Sequence, residues 1–265
     1  MARVLVAGSA DGLGRMAAQR LAASKHEVVL HARNTDRAHQ AIETLPTARH
    51  VVVGDLSSLA ETRAVADQAN AIGLFDAVIH NAGVGYREPR TETVDGLEHV
   101  FAINVVAPYL LTALIHPPHR LVYLSSGMHR GGDPSLGDLL WRHRRWNGSQ
   151  AYADSKLFDV VLAFAVARRW PHVLSNALEP GWVPTKMGGP SAPDDMAQAP
   201  ETQVWLAVSD DPRATVSGRY FYHKSLRDTH PAASDIQVQY GLLRACEEFT
   251  GVTLASANSR SETSR

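Results

Sequence analysis

The chain has one cysteine, Cys246, among 265 residues, which excludes an internal disulfide and a thiolate cage for a metal. That scarcity fits a reducing compartment, and the cytoplasm is the expected location. Charge of one sign is missing too. Twenty-six basic residues stand against 27 acidic ones, a net charge of −1, so no summed field draws the chain to nucleic acid or to an anionic membrane. No apolar run approaches the roughly 18 residues that a bilayer span needs. The opening MARVLVAGSADGLG is broken by Gly and Asp well short of a signal peptide's apolar stretch. Thirteen histidines are present without an HExxH or a Cys–His set, and no metal site is expected. Repeats, low-complexity blocks and linkers are lacking as well.

What is present is enough apolar material, 45% of the residues, for one sizeable core. Short β-branched runs alternate with longer amphipathic ones, the pattern of repeated βαβ units around a parallel sheet. Strands are predicted over Val4 to Ala7, Val28 to His31, Val51 to Val53, Ala77 to His80, Leu121 to Leu124, Ser175 to Leu178 and Tyr220 to Tyr222. Helical spacing marks the stretches around Met16 to Ala22, Ala38 to Leu45 and Leu59 to Ala71, with a further helix around Gln237 to Phe249. The fold class is therefore α/β, a single-domain Rossmann-type doubly wound parallel sheet of about seven strands with helices on both faces. Residues 1–251 form the domain. Gly127 to Gly148 and Lys186 to Ala199 are irregular, rich in Gly and Pro, and read as surface loops of the kind that cover binding sites, with a lid at about 186–200. Residues 252–265 read as a flexible tail.

Directly after the first strand, AGSADGLG places Gly8, Gly12 and Gly14 at the start of a helix, with Asp11 and Leu13 between them. Glycines let a backbone turn closely around a pyrophosphate, and a helix N-terminus offers unpaired N–H donors and the positive end of its dipole. At the end of the second strand, where a carboxylate would receive the ribose hydroxyls of NAD, stands Ala32, followed by Arg33 and Asn34. A guanidinium there suits a 2′-phosphate, so NADP(H) is the expected cofactor and NAD(H) the alternative. Asp11 works against that preference. Asn34 and Arg37 either contact the cofactor or serve the following helix.

Tyr152 and Lys156 in YADSK share one helical face by their i, i+4 spacing. A free phenol ionises near pH 10, and an adjacent ammonium is expected to lower that value until the tyrosine serves as an acid/base near neutrality. Asp154, two residues from Lys156, is expected to face water.

Taken in order, the glycine turn, Asp55 and Leu56 in GDLSS, HNAG with Asn81, Ala82 and Gly83, Asn104 in INVVAPYLLT, Ser125–Ser126, YADSK and EPGWVPT resemble the short-chain dehydrogenase/reductase family almost to Gly251. The long SSGMHRGGDPSLGDLLW stretch resembles the group related to retinol dehydrogenases. The resemblance implies hydride exchange between nicotinamide and a carbonyl or alcohol on a small hydrophobic substrate. It implies Asn104, Ser126, Tyr152 and Lys156 as the catalytic set, with Ser125 the rival of Ser126. Asp55 and Leu56 would meet the adenine, Asn81, Ala82 and Gly83 the cofactor's middle, and Lys156 its ribose. Pro180, Gly181, Val183 and Thr185 would line the nicotinamide, and Asn104 would hold a water beside the lysine. A non-catalytic NADP(H)-binding redox sensor is the rival reading. The Trp141 and Trp146 cluster among Arg142, Arg144 and Arg145 is expected to cover the substrate cleft, and the apolar helix from Leu157 to Ala167 is expected to meet a second subunit in a homodimer or homotetramer.

Overall fold

Runs such as Val4-Leu5-Val6 and Ala77-Val78-Ile79 are apolar at every position, which suits strands covered on both faces. In the computed structural model, which describes residues 1–256, they are central. The first half alternates β1 (Arg3–Ala7), α1 (Gly12–Ala23), β2 (Glu27–Ala32), α2 (Thr35–Thr44), β3 (His50–Val53), α3 (Leu59–Ile72) and β4 (Ala77–His80). Then come α4 (His99–Phe101), a π-helical turn (Ala102–Val106), α5 (Ala107–Leu114), β5 (Arg120–Leu124) and a 3-10 turn (Gly127–Gly131). The rest comprises α6 (Gly148–Arg169), β6 (Leu174–Glu179), α7 (Glu201–Val208), β7 (Tyr220–Tyr222), β8 (Ser225–Leu226) and α8 (Ile236–Thr250).

The sheet runs in the order β3-β2-β1-β4-β5-β6-β7-β8. All pairs are parallel except β7 with the two-residue β8, an addition to the seven strands expected. The chain reverses its winding between β1 and β4, and the crevice at the carboxyl ends of the strands beside that switch is where such sheets take ligands. One apolar cluster gathers α3, α5, α6 and α8 on one face, with Leu111, Leu157, Val161 and Leu242 in it. The other lies beneath α1 and α7, with Leu21, Leu206 and Phe221.

The helix α6 is buried along most of its length, as its apolar sequence demands. Within the chain, Leu242, Leu243 and Cys246 of α8 join the same cluster, and Arg168 reaches Gln239 Oε1 at 2.9 Å. Residues just beyond Gly251 also pack on the domain. Tyr109 donates to the Val252 carbonyl at 2.6 Å, Trp170 Nε1 donates to the Ala255 carbonyl at 2.8 Å, and Leu254 is buried. The remainder of the expected tail, residues 257–265, lies outside the described residues.

Candidate active site

Every motif singled out in the sequence lies at the carboxyl end of a strand or on the helix that follows. Gly8 takes φ +72° and Gly12 φ +53°, a region that favours glycine. A Cβ on Gly14 would overlap the Gly8 carbonyl and come within 2.5 Å of Asn81 Nδ2, so helix, turn and β4 close on one another only because residue 14 has no side chain. Nothing stands within 4 Å of where a Gly12 side chain would be. The turn is thus closed behind and open in front, and the first-turn amides of Leu13 and Gly14 have no intrahelical partner. Asn81 Oδ1 is buried with no partner among the described residues. These features fit a dinucleotide's phosphates.

A residue the motifs did not flag locks this turn. His31 of β2 accepts the Gly8 amide at Nδ1 (2.9 Å) and lies 3.0 Å from the Gly54 carbonyl through Nε2, an arrangement that needs the neutral Nε2–H tautomer. Burial lowers its pKa, which keeps the ring neutral.

Around the adenosine end, Ala32 is buried and Arg33 is exposed, without a hydrogen-bond or ion-pair partner among the described residues. Asn34 caps α2 by accepting the Arg37 amide at 3.0 Å. Asp11 caps α1 and binds two cations, Lys186 at 2.6 Å and Arg37 at 3.3 Å. The hydrogen bond from Lys186 is the main reason its carboxyl falls to about 2. Asp55 accepts the Ser57 amide at 2.9 Å, and Leu56 is buried beside it.

At the other end, Tyr152 and Lys156 do share a face: Lys156 Nζ lies 5.8 Å from the Tyr152 ring centroid. The phenol is only 6% exposed and packs edge-on against Tyr86 at 5.7 Å between centroids. Burial raises its pKa, and the Lys156 charge and the Ser126 hydroxyl offset that only in part. The depressed phenol expected from the spacing is thus corrected, because desolvation outweighs the ammonium. Lys156 Nζ donates to the Leu124 carbonyl and to Asp159 Oδ2, each at 2.8 Å.

Between the two serines the geometry discriminates. Ser125 Oγ donates to the Lys156 carbonyl at 2.7 Å and is buried, whereas Ser126 Oγ accepts the Met128 amide at 3.3 Å and lies near enough to the Tyr152 phenol to pull its pKa down. Asn104 sits in the π-helical turn, a form common at functional sites. Its side chain accepts the Val84 amide (2.9 Å) and donates to the Val84 carbonyl (3.1 Å) and Ser155 Oγ (2.9 Å). Both amide hydrogens are thus engaged, while Oδ1 keeps a second lone pair on the side of Gly83 and Lys156. Gly83 fits between, since a Cβ there would lie 3.3 Å from Asn104 Oδ1 and 3.5 Å from Lys156 Nζ.

Pro180 follows β6, Gly181 takes φ +92°, and Val183 is buried. Thr185 Oγ1 accepts the Gly188 amide at 3.0 Å. Tyr86 donates to the Met187 carbonyl at 3.3 Å, so residues 186 and 187 reach from Asp11 to the cover of the phenol. Beside Gly181 opens a cleft of about 510 Å³ lined by Arg130, Glu179, Trp182, Asp194, Tyr222 and Arg227.

Two peripheral expectations fail. Asp154 is buried and binds Arg144 at 2.9 Å, Gln150 at 2.7 Å and the Asp133 amide at 2.8 Å, so it faces neither water nor Lys156. Trp141 and Trp146 stack edge-on at 5.3 Å, and Trp146 Nε1 donates to the Glu88 carbonyl at 3.1 Å. They brace the segment that carries Tyr86 instead of roofing the cleft.

Comparison with known proteins agrees with this arrangement. A family profile described as short chain dehydrogenase matches residues 2–127. An uncharacterized oxidoreductase of Emericella nidulans is 44% identical over 95% of this chain and 98% of its own length. Retinol dehydrogenase 13 of Homo sapiens is 31% identical over 96% of this chain and 86% of its own. The crystal structure of an uncharacterized protein from Mycobacterium paratuberculosis superposes with a TM-score of 0.81 at 25% identity, covering 96% of this chain and 95% of that one.

Proposed function

The chain belongs to the short-chain dehydrogenase/reductase family and is an NAD(P)-dependent oxidoreductase, and from that premise we propose that it reduces a ketone or aldehyde, preferring NADP(H), with Tyr152 as the proton donor. One observation carries the reading: a buried phenol and a buried ammonium stand on one face of α6, at the end of the sheet where the glycine turn is open in front. Bound nicotinamide supplies the hydride. Ser126 orients the reacting oxygen through its hydroxyl, and Tyr152 passes its proton from the phenolic oxygen to the forming alkoxide. Asn104 fixes the Val84 and Ser155 positions flanking the lysine. Because burial raises the phenol's pKa, Tyr152 keeps its proton at neutral pH and is ready as the donor when a carbonyl is reduced.

The substrate is a small carbonyl compound with an apolar or aromatic body and polar substituents. Trp182 and Tyr222 offer the body a surface, while Arg130, Glu179 and Arg227 make the cleft wall more polar than a bare hydrocarbon would need. Residues of about 186–200 act as its lid, held by Lys186 on Asp11 and Met187 on Tyr86. A sensor without turnover would have no use for a phenol and ammonium paired beneath such a lid.

The cofactor preference rests on Arg33, the guanidinium beside Ala32 that has no partner among the described residues. Arg33→Ala is expected to raise the KM for NADPH about 10- to 100-fold, the worth of charge-assisted hydrogen bonds to a phosphate, with the KM for NADH nearly unchanged. Steady-state kinetics with both cofactors measure this. Equal losses for the two, or a wild-type protein that prefers NADH, reject the Arg33 reading.

A further inference from the structure

Lys156 is only 4% exposed, and an ammonium stripped of water to that degree is stable only with an anion against it. The anion is present. Asp159 Oδ2 lies 2.8 Å from Lys156 Nζ, one helical turn further along α6, and the Asp159 side chain is itself 4% exposed. Among the described residues no other cation pairs with Asp159, and no other carboxylate pairs with Lys156. The nearby Asp154 is engaged by Arg144.

We infer that Asp159 is a positioning residue of this active site: it is the fixed counter-ion that keeps Lys156 charged in a dry interior and holds its ammonium beside the Tyr152 phenol. This rests on the proposed roles of Tyr152 and Lys156. The geometry supports both halves. Asp159 and the Leu124 carbonyl, at 2.8 Å each, take two of the three ammonium hydrogens and leave the third for the side where Gly83 leaves space. The ionisable groups facing the pair are few. They are Tyr152 on the same helix and Tyr123 of β5, with Tyr86 of the covering segment acting through Tyr152.

The signs are consistent. Burial pulls the Lys156 ammonium down, but the Asp159 carboxylate more than restores it, so its net direction is up. Burial pushes the Asp159 carboxyl up to about 6 while Lys156 draws it back. Between that value and the lysine's own, the two groups carry opposite charges. Without Asp159 the desolvation is opposed by Tyr152 alone, and Lys156 loses its proton at lower pH.

The chain has four lysines, Lys25, Lys156, Lys186 and Lys224, of which Lys156 alone is buried, so carbon-labelled lysine gives an assignable NMR titration. In the wild-type protein the Lys156 resonance is expected to stay that of an ammonium at least as high in pH as the other three. In Asp159→Asn it should titrate below them, and in Asp159→Glu it should return upward. Turnover of Asp159→Asn should be lost with rising pH through that same ionisation, where the wild type stays level. A wild-type Lys156 that titrates below the other lysines overturns the inference even if Asp159→Asn does not fold. Coincident Lys156 titrations in Asp159→Asn and wild type overturn it as well. The NMR arm needs no turnover, so a Tyr152→Phe protein that remains active would remove the proposed function while leaving the ion-pair result to stand or fall separately.

Discussion

Replacing Tyr152 with phenylalanine is expected to lower kcat for carbonyl reduction by about 10²- to 10⁴-fold, the usual contribution of a positioned proton donor. The change removes one oxygen and leaves the ring. Its edge-on packing against Tyr86 survives, and the glycine turn proposed to take the cofactor's phosphates follows β1 and makes no use of the phenol, so the thermal midpoint and NADPH affinity should barely move. That split separates chemistry from folding. The pH dependence gives a second handle, with its sign fixed by burial: a phenol raised above its ordinary value is a base only at high pH. In the oxidative direction the wild-type rate should therefore climb with pH into the alkaline range, while in the reductive direction it holds through neutrality and falls only as the phenol ionises. Stopped assays in both directions with the mutant alongside test this. Turnover by Tyr152→Phe equal to wild type would remove the tyrosine from the mechanism.

The parts of the protein that rest on short-range pattern were legible in its residues. Most of the seven strands follow from apolar runs with no polar face, a signature of burial on both sides, Ser175 and Asn176 of β6 being buried polar exceptions, and the strand bounds shift by a residue at most. The glycine turn and the YADSK face are readable because spacing alone fixes which side chains meet. Long-range packing was hidden. The helix α7 is eight residues after a proline-rich loop, too short for periodicity to separate it from that loop. Asp159 escaped notice inside an apolar helix where a carboxylate looks out of place, and only the fold shows Lys156 buried deeply enough to need it. His31 reads as a strand residue until β1 brings Gly8 against it. The pKa of Tyr152 reversed for the same reason: sequence reveals the neighbouring charge but not the water that is lost, and the water matters more here.

Gly14 carries the heaviest consequence outside the proton-transfer pair. An alanine there would drive its Cβ into the Gly8 carbonyl and within 2.5 Å of Asn81 Nδ2, neither of which can retreat easily. The Gly8 amide is held by His31, a Cβ on Gly8 would itself lie 2.7 Å from the Ala82 Cα, and Asn81 is anchored at the end of β4. The helix must therefore tilt away from the sheet, displacing the Leu13 and Gly14 amides from any phosphate. Overpacking of this kind costs about 1–3 kcal/mol in stability. A similar loss in binding corresponds to roughly 5- to 150-fold weaker cofactor affinity. Gly131→Ala is the matched control, since nothing lies within 4 Å of its added methyl and its backbone is not in the left-handed region. Thermal unfolding and NADPH fluorescence titration of the two variants should separate them clearly. Gly14→Ala with wild-type affinity would mean that the turn behind Gly8 is not the phosphate cradle, whereas loss in Gly14→Ala together with silence in Gly131→Ala ties cofactor binding to the closeness of α1, β1 and β4 that only glycine permits.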